Sequence, residues 1–140
     1  MGAHKHIERC IGACIASRYR SAAEVGAGNN FVAAGILKDS GVKVFCTDIR
    51  RPHTEPGVPF FIDDIFSPDI SLYYGIEVIY SIRPGEEMMP ALIRLAQGLD
   101  VDLVVYHLGF EGYGHGGEII NCGVTLHRYH KGQNPSKRVF

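Results

Sequence analysis

Charge of one sign is missing from this chain: 14 Lys and Arg stand against 15 Asp and Glu across 140 residues, a net charge of −1. There is no bulk field to draw nucleic acid or an anionic membrane, so neither is expected as a partner. Long hydrophobic runs are missing too. No stretch approaches the ~20 apolar residues that cross a bilayer, and residues 1–10 carry too many His, Lys, Glu and Arg to form the apolar core of a secretion signal. A cytoplasmic protein is the expectation. Metal-finger spacing is the third absence. Cys10, Cys14, Cys46 and Cys122 fit no zinc pattern, so no metal is expected and the cysteines are read as reduced, mostly buried thiols. With no internal repeat and no linker, residues 1–140 are read as one domain, large enough to bury a core without staples.

What is present alternates between strand and helix. Ile7, Ile11, Cys14 and Ile15 fall on one stripe of residues 7–19, so residues 1–20 are read as an N-terminal helix. Residues 21–25 are a short apolar run stopped by Gly26-Ala27-Gly28-Asn29-Asn30. Residues 31–38 return to helical spacing with Gly41 as the stop, and residues 42–46 are a second apolar run closing on Thr47-Asp48. Three prolines in residues 50–59 exclude a regular helix there. A short third strand, residues 60–62, runs into Asp63-Asp64, and Ser67-Pro68-Asp69 reads as a short helix's start with Ser67 as its cap. Further strands over 76–80 and 103–106 flank a helix over 84–99 with Met88, Leu92, Leu95 and Leu99 as its buried stripe. Residues 109–117, five of them glycine, read as a mobile loop, residues 124–130 as a last strand and residues 131–140 as a frayed tail.

Strands that are continuously apolar rather than alternating are those covered on both faces, as in parallel sheets. The expected fold is therefore α/β: a three-layer, Rossmann-like open sheet, mostly parallel, with an antiparallel C-terminal edge strand.

The chemistry concentrates at the strand ends. Glycines at 26 and 28 let the backbone turn tightly and let a ligand approach it, while the following helix aims unsatisfied N–H groups at that ligand. A strand-to-helix turn alone often needs such glycines. Asp48, however, closes the second strand, where a carboxylate can accept from both hydroxyls of a ribose. Asp64 lies at the end of the third strand, on the same carboxyl edge where ligands of open α/β sheets bind. With Glu24, three acids mark three strand ends.

Those residues also carry a family resemblance. Ala22-Ala23-Glu24-Val25-Gly26-Ala27-Gly28 resembles the first motif of class I S-adenosylmethionine-dependent methyltransferases. Thr47-Asp48-Ile49 resembles their acidic second-strand motif, and Asp64-Ile65-Phe66-Ser67-Pro68 their adenine-contacting motif. Thr47-Asp48-Ile49 followed by Tyr80-Ser81-Ile82-Arg83-Pro84 is similar to a small uncharacterised archaeal family of methyltransferase-like proteins. The resemblance spans residues 21–107. It implies a minimal methyltransferase-type fold with S-adenosylmethionine as cofactor. Gly26, Gly28 and Asn29 would line its amino-acid part, with Glu24 beneath the ammonium. Asp48 would hold the ribose and Ile49 the adenine face. Asp64 and the Ile65 backbone would read the adenine edge, and Ser81 would lie nearest the sulfonium.

Departures from that pattern set limits. Asn30 replaces the third glycine, Ser81-Ile82-Arg83-Pro84 replaces the Asn/Asp-Pro-Pro-aromatic motif of amino-methylating members, and no insertion is large enough to recognise a substrate. Arg83, as an anion clamp, and His107, as a general base near neutral pH, join Ser81 as catalytic candidates. Each has an ordinary structural reading beside it. Residues 111–118 read either as a lid or as an untied loop. The expected function is an S-adenosylmethionine-binding methyltransferase with no acceptor identified. The rivals are a non-catalytic nucleotide-binding module working in an oligomer and an NAD-binding oxidoreductase fragment. Thin cover around Phe45, Phe60 and Phe61 makes a homodimer the expected assembly.

Overall fold

A computed structural model describes residues 2–109 and 112–133, with side chains from His6 onward. Helix α1 (Gly2–Arg18) precedes strand β1 (Ser21–Val25), then α2 (Val32–Asp39), β2 (Lys43–Asp48), β3 (Phe60–Ile62), β4 (Val78–Ile82), α3 (Met89–Leu99), β5 (Asp102–Tyr106), β6 (Glu118–Asn121) and β7 (Thr125–His130). The strands form one sheet in the order β3-β2-β1-β4-β5-β7-β6. The first five are parallel, and β7 runs antiparallel to both β5 and β6. This is the mostly parallel α/β sheet expected. Its antiparallel end is a hairpin rather than a single strand, and the glycine-rich approach to β6 concealed the extra one.

Side-chain alternation explains the layers. Ala22, Val44, Val78, Tyr80 and Val104 join α1 and α2 in one apolar cluster, while Ala23, Val25, Ile79, Leu103 and Val105 join α3 in the other. The two helices of the first layer approach closely at Gly12. A Cβ there would come within 2.8 Å of Ile36 Cβ and 2.9 Å of the Ala33 carbonyl oxygen.

Four local expectations are corrected. Cys14 and Cys122 form a disulfide, which ties α1 to the β6–β7 turn, so the cysteines are not all reduced thiols; Cys10 and Cys46 are free. Asp69, not Ser67, caps the turn after β3: its carboxylate accepts from the Ser71 N–H at the start of a 3-10 turn, Ile70–Tyr73. The helix expected over 84–99 opens as a 3-10 turn at Glu86–Met88, and α3 follows with Pro90 in its first turn. That start makes Met89, rather than Met88, the fully buried methionine. Gly132 and Gln133 are held to the start of β5 through their N–H groups, which donate to the Asp102 and Asp100 carboxylates. The expected lid includes residues 110 and 111, and most of the expected tail is residues 134–140; both lie outside the described residues. As the prolines required, residues 49–59 contain no helix, leaving Phe61 and Ile62 of β3 exposed.

Candidate functional site

The turn after β1 sits on the carboxyl edge of the sheet, and backbone bonds hold it there. The N–H groups of Gly26 and Ala27 both donate to the Thr47 carbonyl, at 2.9 and 3.2 Å. Gly26 and Gly28 have φ of 78° and 60°, where a side chain is strained. A Cβ on Gly28 would meet nothing within 4 Å, so the space over this glycine is open. Asp48, half-buried, closes the turn from β2: one oxygen accepts from the Gly28 N–H and the other from the Ile49 N–H, each at 2.7 Å. Each oxygen retains a lone pair for a further donor. Ile49 is exposed beside it, and the Asn29 side-chain oxygen accepts from the His53 N–H at 2.6 Å.

Asn30 shows what replaced the third glycine. Its oxygen accepts from the Val32 N–H at the start of α2, and its amide nitrogen donates to Glu8 Oε2 at 3.1 Å. Position 30 is thus a strut between α2 and α1.

Glu24, on β1, is buried, and Tyr80 on β4 donates to it at 2.8 Å. Burial, together with the negative charges of Glu8 and Asp48, outweighs the Tyr80 bond and pushes its pKa from 4.5 to about 8. Beyond β3 the pattern loosens. Asp63 is absorbed by the fold, accepting from the Asp69 N–H and the Tyr73 hydroxyl at 2.9 Å each. Asp64 is exposed, with one oxygen turned to the Phe66 N–H, and Ile65 is buried under α3.

The catalytic candidates after β4 and β5 are each engaged. Ser81 is buried and donates to the Val25 carbonyl at 2.8 Å, which locks β4 to β1; its oxygen would lie 3.9 Å from a Cβ on Gly26. Arg83 has φ 54°, donates its N–H to the Tyr106 carbonyl, holds its guanidinium 5.2 Å from the Tyr106 ring centre and pairs with Glu8 Oε2 at 2.7 Å. His107 Nε2 lies 2.5 Å from the Tyr129 hydroxyl, whose oxygen already accepts from the Tyr113 N–H. One hydrogen bond thus joins this ring nitrogen to the Tyr129 hydroxyl and ties the end of β5 to β7. Burial and the neighbouring His127 lower the His107 pKa and favour the neutral ring. His107 lines an open pocket of about 370 Å³ with Pro84, Glu86, Met89 and Tyr113. Among the described residues no cluster of His, Cys, Asp or Glu has a metal-site arrangement, and no helix is long and apolar enough to cross a membrane.

The structure thus brings Glu24, Gly26, Gly28, Asn29 and Asp48 together, sets Ser81 against Gly26 and leaves Asp64 at the periphery. Sequence reasoning missed Glu8. The signal was legible: Glu8 precedes Ile11 by three positions and Ile15 by seven, which puts an acid on the apolar stripe of α1.

Residues 7–118 match the model of a family described as Uncharacterised protein family (UPF0146). The chain belongs to this family. Members include a protein of Archaeoglobus fulgidus, 33% identical over 92 residues (65% of this chain and 71% of the relative). Another, from Pyrococcus horikoshii, is 32% identical over 111 residues (76% and 85%). Among solved structures, magnesium protoporphyrin IX methyltransferase from Synechocystis PCC 6803, with bound SAM, has a TM-score of 0.62 at 13% identity, covering 89% of this chain and 77% of that one. An RNA methyltransferase from Salinibacter ruber, in complex with S-adenosyl-L-homocysteine, has a TM-score of 0.61 at 13% identity, covering 88% and 89%. The fold of this UPF0146 member is therefore the methyltransferase-like Rossmann fold.

Proposed function

We propose that the carboxyl edge of β1, β2 and β4 binds S-adenosylmethionine or its demethylated product, and that the chain is a methyltransferase with no acceptor yet identified. The observation that carries this reading is the meeting of the open Gly26–Gly28 turn with Asp48 and the buried Glu24 on one edge. The residues fit such a ligand: Gly28 leaves room above the backbone, Asp48 keeps two lone pairs for ribose hydroxyls, and Ile49 offers an exposed apolar side chain to a base. The sulfonium supplies an already activated methyl group, so the protein's part is to orient an acceptor and exclude water. Glu24 and Asp48 would fix the two polar ends of the ligand, and the pocket beside His107 would receive the acceptor. His107, with Nε2 bonded to Tyr129, would meet that acceptor through its other ring nitrogen.

Calorimetry with S-adenosylhomocysteine and with NAD tests the reading. Saturable micromolar binding of the former supports it; saturation by NAD alone replaces it with the oxidoreductase rival. A second reading, a binding module without turnover, has its own support: the Ser81 hydroxyl and His107 Nε2 are both spent on internal hydrogen bonds. We place the protein in the cytoplasm, where a nucleoside ligand of this type is available. A homodimer through the exposed β3 edge is the proposed assembly, and light scattering at the monomer mass of 15.4 kDa would exclude it.

A further inference from the structure

Glu8 is a charged side chain in a place that should not hold one. It is 1% exposed, on the face of α1 that packs on the sheet. Buried carboxylates are ordinarily hydrogen-bonded at both oxygens. Here Oε2 receives two donors, Asn30 Nδ2 at 3.1 Å and Arg83 at 2.7 Å, while Oε1, equally buried, has no partner among the described residues.

The two donors to Oε2 come from the turn after β1 and from the residue just beyond β4, so they fix the carboxylate over the same strand ends as Glu24. Its charge is felt there, as one of the two that add to burial in raising the Glu24 pKa. Arg83 reaches it from a left-handed backbone, held by the Tyr106 carbonyl and ring. Such conformations persist where surrounding contacts over-determine them. The charges do not balance even with Glu24 holding its proton: the carboxylates of Glu8 and Asp48 face a single guanidinium. The corner lacks a cation, and Oε1 lacks an N–H or O–H donor. A sulfonium has the charge but no hydrogen to donate. An ammonium has both.

We propose that Glu8 is a ligand-binding residue whose Oε1 accepts a hydrogen bond from the α-ammonium of the bound S-adenosyl compound. Asn30 and Arg83 act as positioning residues through Oε2. The corner then selects adenosine ligands that carry an amino-acid tail over those that lack the amino group. The inference rests on the binding reading above.

Titration calorimetry on the full chain tests it, with S-adenosylhomocysteine and its deaminated analogue, which differ only at the amino group. The wild type is expected to bind the former at least tenfold more tightly. Glu8→Gln is expected to lose about tenfold for S-adenosylhomocysteine, to bind the analogue as the wild type does, and to keep its thermal unfolding. Equal wild-type affinity for the two compounds overturns the proposal, whether or not the variant folds. A Glu8→Gln variant that discriminates as before overturns it too. If neither compound binds the wild type, the binding reading itself fails and the role of Glu8 fails with it. Those results are distinguishable.

Discussion

The two flanks of the Gly26–Asn30 turn are built on opposite principles. On the β4 side Glu24, Glu8 and Ser81 are buried and tied across elements: Glu24 to Tyr80, Glu8 through Oε2 to Asn30 and Arg83, Ser81 to the Val25 carbonyl. On the β3 side Asp48 and Asp64 hold only neighbouring backbone N–H groups, Ile49 is exposed, and a proline-rich crossover replaces the helix that would cover the sheet. The contrast follows from low dielectric: charges taken out of water must be paired and ordered, whereas exposed ones need little support. On the binding reading proposed above, the closed flank would discriminate between ligands and the open flank would mainly contribute affinity.

The contrast can be broken most strongly through α1, which carries Glu8 and is anchored by the disulfide. Cys14→Ser is expected to lower unfolding stability by about 2–4 kcal/mol, the usual worth of a bridge closing a long loop. Urea denaturation of the wild type under reducing conditions should fall to a similar value, and an unchanged midpoint would mean packing alone holds the helix. On the open flank, Asp48→Ala should cost ~1.5–3 kcal/mol of S-adenosylhomocysteine affinity, one to two decades, with little change in melting temperature because its two backbone partners turn to water. An unaltered dissociation constant would place the ribose elsewhere.

Glu24 sharpens the comparison through pH. Its pKa is raised in the folded state, so the native protein holds a proton that the unfolded chain has released between about pH 4.5 and 8. Stability is then fully present below pH 4.5 and falls as pH rises toward 8, with a slope of at most about 1.4 kcal/mol per pH unit. Denaturant titrations from pH 5 to 8 should show that decline in the wild type and lose it in Glu24→Gln; a slope that survives the substitution belongs to another group. The smallest effect is expected at Asp64. Asp64→Asn should change ligand affinity by less than tenfold, since the side chain is exposed, and a larger loss would move the adenine contact to the centre of the site.

Much of this was legible in the residues. Gly26, Gly28 and Asp48 announce themselves because each obeys a local rule: positive φ needs glycine, and a strand-end acid faces the carboxyl edge. Glu8 was hidden because a stripe is recognised by its apolar members, and an acid within it looks like an interruption. The Cys14–Cys122 bond joins residues 108 positions apart, a pairing that only the packing of α1 against the β6–β7 turn decides. Strand β6 escaped notice because its glycine-rich approach masks a four-residue strand whose pairing comes entirely from β7. Asp69 took the capping role from Ser67 because the turn starts two residues later than Pro68 alone would place it.

The same bond gives the molecule a topology of its own. With Cys14 joined to Cys122, residues 14–122 form a covalent ring that contains the Gly26–Asn30 turn, Asp48 and Arg83. A single cut anywhere inside that ring opens it without dividing the molecule. Cleavage in the helix-free crossover of residues 49–59 would leave Glu24 and Arg83 on different fragments, still joined through sulfur. The nicked protein would migrate as one species until reduced, and its two halves could be unfolded and refolded as a single unit.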